Sequence, residues 1–154
     1  MTFNKIPEPD HITPKIAKSS PTDVSDWRVL IVDDVFDNIS IAEAVLLFNR
    51  AEVKHAVNGR EGLDMIEAYK PNLILLDLSM PVMNGWEMHE ALRKSPDTTS
   101  IPVIALTAHA MQGDKEKVME AGFDGYIAKP FSVTTLVDDI KNILKTLNVK
   151  ADKS

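Results

Sequence analysis

The chain has 154 residues and no cysteine. That excludes disulfides, thiolate catalysis and Cys-based zinc or iron–sulfur sites, and it agrees with a reducing cytosol. Basic residues are in deficit, with a formal net charge of -6 and a pI near 5.2. Nucleic acid and anionic membranes both call for a basic surface, so neither is expected as a partner. No apolar stretch approaches the roughly 18 residues of a membrane span. The N-terminus lacks the apolar core of a signal peptide, and a cytoplasmic location is expected. His11, His55, His89 and His109 are scattered without metal-ligand spacing. Gly59-Arg60-Glu61-Gly62 lacks the lysine of a nucleotide-binding loop. There is no internal repeat and no low-complexity run.

What remains is ordinary globular composition, 44% hydrophobic and 26% charged, on a length that suits one domain. Residues 1–26 differ in kind. They hold Pro7, Pro9, Pro14 and Pro21 and show no apolar period, so a flexible or loosely docked tail is expected there. The folded unit is expected over 27–148, with a short tail at 149–154. No appended effector domain is expected after the last helix.

Within that unit, apolar runs alternate with periodic helical segments. Val29–Val32, Leu73–Leu76, Val103–Leu106 and Tyr126–Ala128 read as buried strands. Glu52–Val57 is a weaker strand signal. Helices are predicted from near Asp37, over Asn58–Ala68, over Gly85–Lys94 and over Met111–Ala121, with Gly122 suited to the left-handed position after the last of these. A fifth helix is predicted from Ser132 as its cap, with Val133, Leu136, Val137, Ile140, Ile143, Leu144 and Leu147 on one face. The run Asp114-Lys115-Glu116-Lys117 reads as a solvated helix face. Trp27 is expected to close the sheet's lower edge, and Trp86 to pack or to face a partner. Five strands alternating with five helices imply an α/β fold, a doubly wound five-stranded parallel sheet of order 2-1-3-4-5 with helices on both faces.

Five polar residues follow those strands closely: Asp33, Asp34, Asp77, Thr107 and Lys129. The carboxyl edge of such a sheet is where ligands bind. Three carboxylates and one ammonium sum to −2. Like charges about 5 Å apart repel by roughly 3 kcal/mol at an effective dielectric of 20. Oxygen donors without His or Cys select a hard cation, Mg²⁺, over zinc or copper. A carboxylate is also a nucleophile toward phosphorus. The Lys129 ammonium, the Thr107 hydroxyl and backbone N–H groups after Asp77 and Thr107 could cradle the transferred group.

These segments carry a resemblance. Asp33-Asp34, Leu75-Leu76-Asp77-Leu78-Ser79-Met80-Pro81-Val82-Met83-Asn84-Gly85, Leu106-Thr107-Ala108 and Tyr126-Ile127-Ala128-Lys129-Pro130-Phe131 are similar to the receiver domain of two-component response regulators, the CheY-like superfamily, over about residues 28–147. The segment from Thr107 to Asp114 is similar to receivers of hybrid histidine kinases and of some stand-alone regulators. The resemblance implies that Asp77 accepts a phosphoryl group from a phosphohistidine of a histidine kinase or histidine phosphotransfer protein. It implies Mg²⁺ held by Asp34, Asp77 and the Ser79 backbone carbonyl, with Asp33 acting mainly through water. Thr107 and Tyr126 match the pair that rearranges on phosphorylation. Ser79 and His109 match positions that tune phosphate lifetime, and the Lys129–Pro130 bond is expected to be cis. Output is expected through a protein partner on the face of the fourth helix, fifth strand and fifth helix.

Two other readings compete. An aspartate-nucleophile phosphohydrolase of the haloacid-dehalogenase type commonly carries a second carboxylate two residues after the first; here that residue is Ser79, and no lid domain is apparent. A phosphorylation-independent adaptor would leave the five-residue set without a purpose.

Overall fold

The computed structural model describes residues 23–108 and 112–153. His109 and residues 1–22 lie outside them. Five parallel strands are hydrogen-bonded in the order β2-β1-β3-β4-β5, with β1 at Arg28–Val32, β2 at Glu52–Ala56, β3 at Leu73–Asp77, β4 at Val103–Thr107 and β5 at Gly125–Ala128. Five helices alternate with them: α1 Phe36–Phe48, α2 Gly59–Tyr69, α3 Gly85–Lys94, α4 Gln112–Glu120 and α5 Leu136–Lys153. The sheet order and the α/β alternation are those expected from the sequence.

Alternate residues of the central strands enter opposite layers, as the two-residue period requires. Val29, Ile31, Leu73, Leu75, Ile104, Leu106 and Ile127 pack with Ile39, Ala42 and Leu46 of α1 and Leu136, Val137 and Ile140 of α5. Leu30, Val32, Ile74, Leu76 and Ala105 pack on the other side with Ile66 and Tyr69 of α2, Met88 and Leu92 of α3, and Val118 of α4. Every residue of β3 and β4 is buried. β2 is the edge strand and buries only Ala56 fully, which is why its apolar pattern is weak.

The helix ends carry local stop and start signals. Asn58 caps α2 by accepting from the Glu61 N–H. Asn84 and Glu87 form a reciprocal capping box at α3. Gly122, just after α4, has φ of 99°, a conformation in which a side chain is costly.

The start of α5 departs from expectation. Regular helix begins at Leu136, and Ser132 Oγ meets Thr134 Oγ1 at 3.0 Å. The Ser132 carbonyl, not its side chain, accepts from the Thr135 and Leu136 N–H groups. Val133 therefore sits in the entry turn at 60% exposure, off the buried face that begins with Leu136. At its other end α5 runs to Lys153, through most of the expected C-terminal tail, since no Gly or Pro interrupts it.

The last residues of the expected N-terminal tail are folded. Val24 is buried, its N–H donates to the Asn49 carbonyl, and Asn72 Nδ2 donates to the Asp26 carbonyl. Trp27 is half-buried against the α1–α5 layer, and its carbonyl accepts from the Glu52 N–H.

Candidate functional site

Parallel pairing in register brings the carboxyl ends of β1, β3, β4 and β5 to one edge. Asp77 stands opposite Leu106, and Thr107 opposite Ala128. Asp33, Asp77 and Lys129 each lie two residues beyond a residue of the α1–α5 layer (Ile31, Leu75 and Ile127). Lys129 Nζ donates to Asp77 Oδ1 at 3.2 Å and to Asp33 Oδ2 at 3.4 Å. The Lys129–Asp33 contact closes a sequence separation of 96 residues. Carboxylate oxygens of Asp33, Asp34 and Asp77 all lie within 4.8 Å of one another. Asp33 and Asp77 are buried and Asp34 is exposed, so the cluster opens toward solvent on one side.

Backbone contacts fix each member. The other oxygen of Asp33 accepts from the Val35 N–H at 2.9 Å, an Asx turn that starts α1 without a capping side chain on Val35 itself. The Lys129 N–H donates to the Thr107 carbonyl at 2.8 Å, and the Lys129–Pro130 bond is cis. Behind Asp77, the Gly85 N–H donates to the Leu78 carbonyl, and a methyl group on Gly85 would fall 2.2 Å from the Asp77 carbonyl oxygen. Only glycine lets α3 approach the loop after Asp77 this closely. That loop is tightened further: the Met83 N–H reaches the Pro81 carbonyl at 2.7 Å across Val82, whose φ is 68°. The Gly59 N–H of α2 holds the Met83 carbonyl.

Burial and the neighbouring Asp33 charge push the Asp77 carboxyl up to about 6, against the opposing pull of Lys129. The Lys129 ammonium does not offset burial and the Asp33 charge. The donor set is all oxygen, clustered and anionic, which fits a hard divalent cation. Asp34, Asp77 and Ser79 could hold one at the cleft, with Asp33 behind them. The cleft has a volume of about 530 Å³ and is lined by Asp34, Asp77, Ser79, Thr107 and Lys129, together with Trp86 and the α4 residues Asp114 and Lys117. Ser79 is exposed at its rim, with its N–H 3.4 Å from Asp77 Oδ1. The Leu78 N–H is engaged by the Leu106 carbonyl at 3.3 Å and so is not free for a ligand. Thr107 is buried. Tyr126 shares its sheet face, pairing with Ala105, and its ring lies under the Lys115 ammonium at 5.3 Å.

Two features were not visible in the sequence pattern. Asp114 and Lys117 read as a solvated face but border the cleft, because the first turns of α4 lean over the sheet edge. His89 is buried, stacked on Phe123 at 4.0 Å between centroids, with Nε2 unpartnered. Phe123 in turn meets Trp86 edge-on at 5.6 Å, so Trp86 packs and also reaches the cleft.

Comparison with known proteins agrees with this geometry. The family model for the response regulator receiver domain matches residues 29–141. The polar-differentiation response regulator DivK of Brucella anthropi is 36% identical over 116 residues, covering 75% of this chain and 94% of the relative. Among solved structures, the chemotaxis response regulator CheY4 of Vibrio cholerae superposes with a TM-score of 0.71 at 29% identity, covering 76% of this chain and 98% of that one. The receiver domain of a sensor histidine kinase of Pseudomonas aeruginosa, solved with a magnesium ion coordinated in its active-site cleft, gives a TM-score of 0.69 at 30% identity, covering 77% and 98%. The chain therefore belongs to the response regulator receiver domain family.

Proposed function

We propose that this receiver works as a phosphorylation switch in which Asp77 accepts a phosphoryl group from the phosphohistidine of a histidine kinase or histidine phosphotransfer protein. The observation that carries the reading is the setting of Asp77: a buried carboxylate at the floor of an open cleft, flanked by two further aspartates and held by Lys129. An Asp77 carboxylate oxygen attacks phosphorus in line. The P–N bond to the imidazole breaks, its electron pair returns to the imidazole nitrogen, and an acyl phosphate forms. Lys129 is placed to hold a phosphoryl oxygen, and the Thr107 hydroxyl to donate to another. Both contacts strengthen as negative charge gathers on the transferred group.

Asp34, Asp77 and the Ser79 carbonyl would hold Mg²⁺, with Asp33 acting on it through water. When bound, the cation neutralises the acidic cluster and the incoming phosphoryl charge. The magnesium-bearing Pseudomonas relative supports this choice of metal. Ser79 at the rim, and His109 on the far side of Thr107 in the chain, are the positions proposed to set the lifetime of the phosphate.

Phosphorylation replaces a −1 group with one near −2. Thr107, drawn toward that charge, and Tyr126, on the same sheet face, are the proposed reporters to a protein-binding surface formed by α4, β5 and α5. A near-complete switch needs about 5.5 kcal/mol of differential stabilisation between the two states. The proposed setting is the cytoplasm, with residues 1–26 and 149–154 flanking a receiver at 27–148. A phosphohydrolase is disfavoured by Ser79 at the position where a second carboxylate would act, and an adaptor by the assembled acidic site.

Intact-mass measurement after incubation with acetyl phosphate and Mg²⁺ tests the reading. One phosphoryl adduct is expected on the wild type and none on Asp77→Asn or in excess chelator. An equal adduct on Asp77→Asn would overturn it.

A further inference from the structure

The run Asp114-Lys115-Glu116-Lys117 does not form a single solvated face on α4. Val118 is buried in the layer it shares with Leu76 and Ala105, which fixes the rotation of the helix. At the helical period Asp114, Lys117 and Val118 fall within about 100° of one another. All three line the cleft beside Asp77. Lys115 lies off the cleft, its ammonium 5.3 Å from the centre of the Tyr126 ring. Glu116 is exposed on the opposite side of the helix. The run thus places one acid and one base on the cleft.

Among the described residues, two lysines line the cleft, Lys129 and Lys117, and their circumstances differ. Lys129 Nζ is committed to Asp33 and Asp77, and its side chain is 12% exposed. Lys117 is exposed, and no ion pair joins it to Asp114 or to any other acid among the described residues. Four carboxylates, Asp33, Asp34, Asp77 and Asp114, stand at or behind the cleft against the one fixed ammonium of Lys129. A cleft lined by one sign of charge focuses its field, and this one repels an anionic donor. A divalent cation still leaves the formal sum at −1, and Lys117 brings it to zero. A hydrated ammonium on a flexible stem suits brief capture of an anion at a wet rim.

We propose that Lys117 is a donor-binding residue: its ammonium meets the anionic phosphoryl donor as it enters the cleft and so speeds phosphorylation of Asp77. The inference rests on the phosphoacceptor role proposed for Asp77. Lys129 holds the group during transfer, and Lys117 governs its arrival.

The probe is acetyl phosphate with Mg²⁺, and the rate of adduct formation on the full-length protein is read by intact mass. Rates are compared at about 0.1 M and about 1 M ionic strength, where the screening length is roughly 10 Å and roughly 3 Å. At the lower strength Lys117→Gln is expected to react about three- to five-fold more slowly than wild type, the scale of a solvent-exposed charge contact. Lys117→Arg is expected to recover most of the rate. Lys94→Gln makes the same charge change at the far end of α3, where the side chain is exposed, and is expected to match wild type. At the higher strength the deficit of Lys117→Gln is expected to close. Equal rates for the two glutamine variants at the lower strength, or a Lys117→Gln deficit undiminished at the higher, would overturn the proposal and leave Asp77 as the acceptor. A wild type that takes up no adduct would instead refute the role of Asp77, and that of Lys117 with it.

Discussion

Asp77 holds its charge at a cost. Its folded-state value near 6 lies above the ordinary 3.8, so between those two pH values the native state binds the extra proton. Stability from this group therefore falls as pH rises through that window, and the full penalty applies above it. In chelator-treated protein at pH 7.5, Asp77→Asn is expected to stabilise the fold by about 1–3 kcal/mol, on the scale of 1.36 kcal/mol per pKa unit. The gain should vanish below about pH 4; urea unfolding at both pH values measures it. His89 gives the opposite case. Burial, and then the Arg93 charge, lower its value below 6.5, while a hydrogen bond to the Gly122 backbone opposes them. Its neutral form is native, so its contribution is complete above the unfolded value of 6.5 and is lost as pH falls below it. The stability of His89→Phe relative to wild type is expected to rise between pH 7.5 and pH 5, read from paired denaturation curves; a constant difference would refute the assignment. The two residues differ in legibility. Asp77 is conspicuous because a charge ends an all-apolar strand. His89 lies on a helix face where its burial depends on Phe123, which arrives from another element.

At the level of elements, the loop after Asp77 is held by a helix that can come close only because residue 85 has no side chain. Gly85→Ala places a methyl group 2.2 Å from the Asp77 carbonyl oxygen, backbone that cannot rotate aside. A loss of about 3 kcal/mol or more is expected, at the severe end for a point substitution. Slower phosphorylation by acetyl phosphate should accompany it. Gly113→Ala meets nothing within 4 Å and serves as the control, expected to be neutral or slightly stabilising. Thermal denaturation of the two variants measures the contrast. Elements whose signal is local were readable in advance. The span Gly85–Lys94 was predicted for α3 and is observed, and Gly122 marks the end of α4. The onset of α5 was misplaced because Ser132, a good capping residue by type, pairs its Oγ with Thr134 Oγ1. β2 was faint because an edge strand has one partner, and only Val53 and Ala56 of it pack into the two layers, so Lys54 and His55 need not be apolar.

For the whole molecule, sheet order followed from alternation, and the convergence of Asp33, Asp34, Asp77 and Lys129 from polar residues placed after apolar runs. Tertiary ties between distant elements did not. Arg93 at the end of α3 binds the Thr99 and Ile101 carbonyls and Asp124, while the same Asp124 oxygen accepts from the Val103 N–H. This knot fastens the amino edge of β4 and β5, opposite the cleft. No periodicity announces it, since each member alone reads as a surface charge.

The 96-residue span between Asp33 and Lys129 also sets an order of events in biogenesis. The acidic pair just after β1 emerges from the ribosome early, but its cationic partner arrives only after the other four strands have been made. A fragment lacking β5 holds the acids without the lysine, and a chain caught midway in assembly does the same. Under the role proposed for Asp77, competence to be phosphorylated is a certificate of completed folding. In a refolding time course sampled with acetyl phosphate pulses, the adduct is expected to appear with the final native phase. Its appearance in an earlier, partly structured phase would show that the site forms without its last strand.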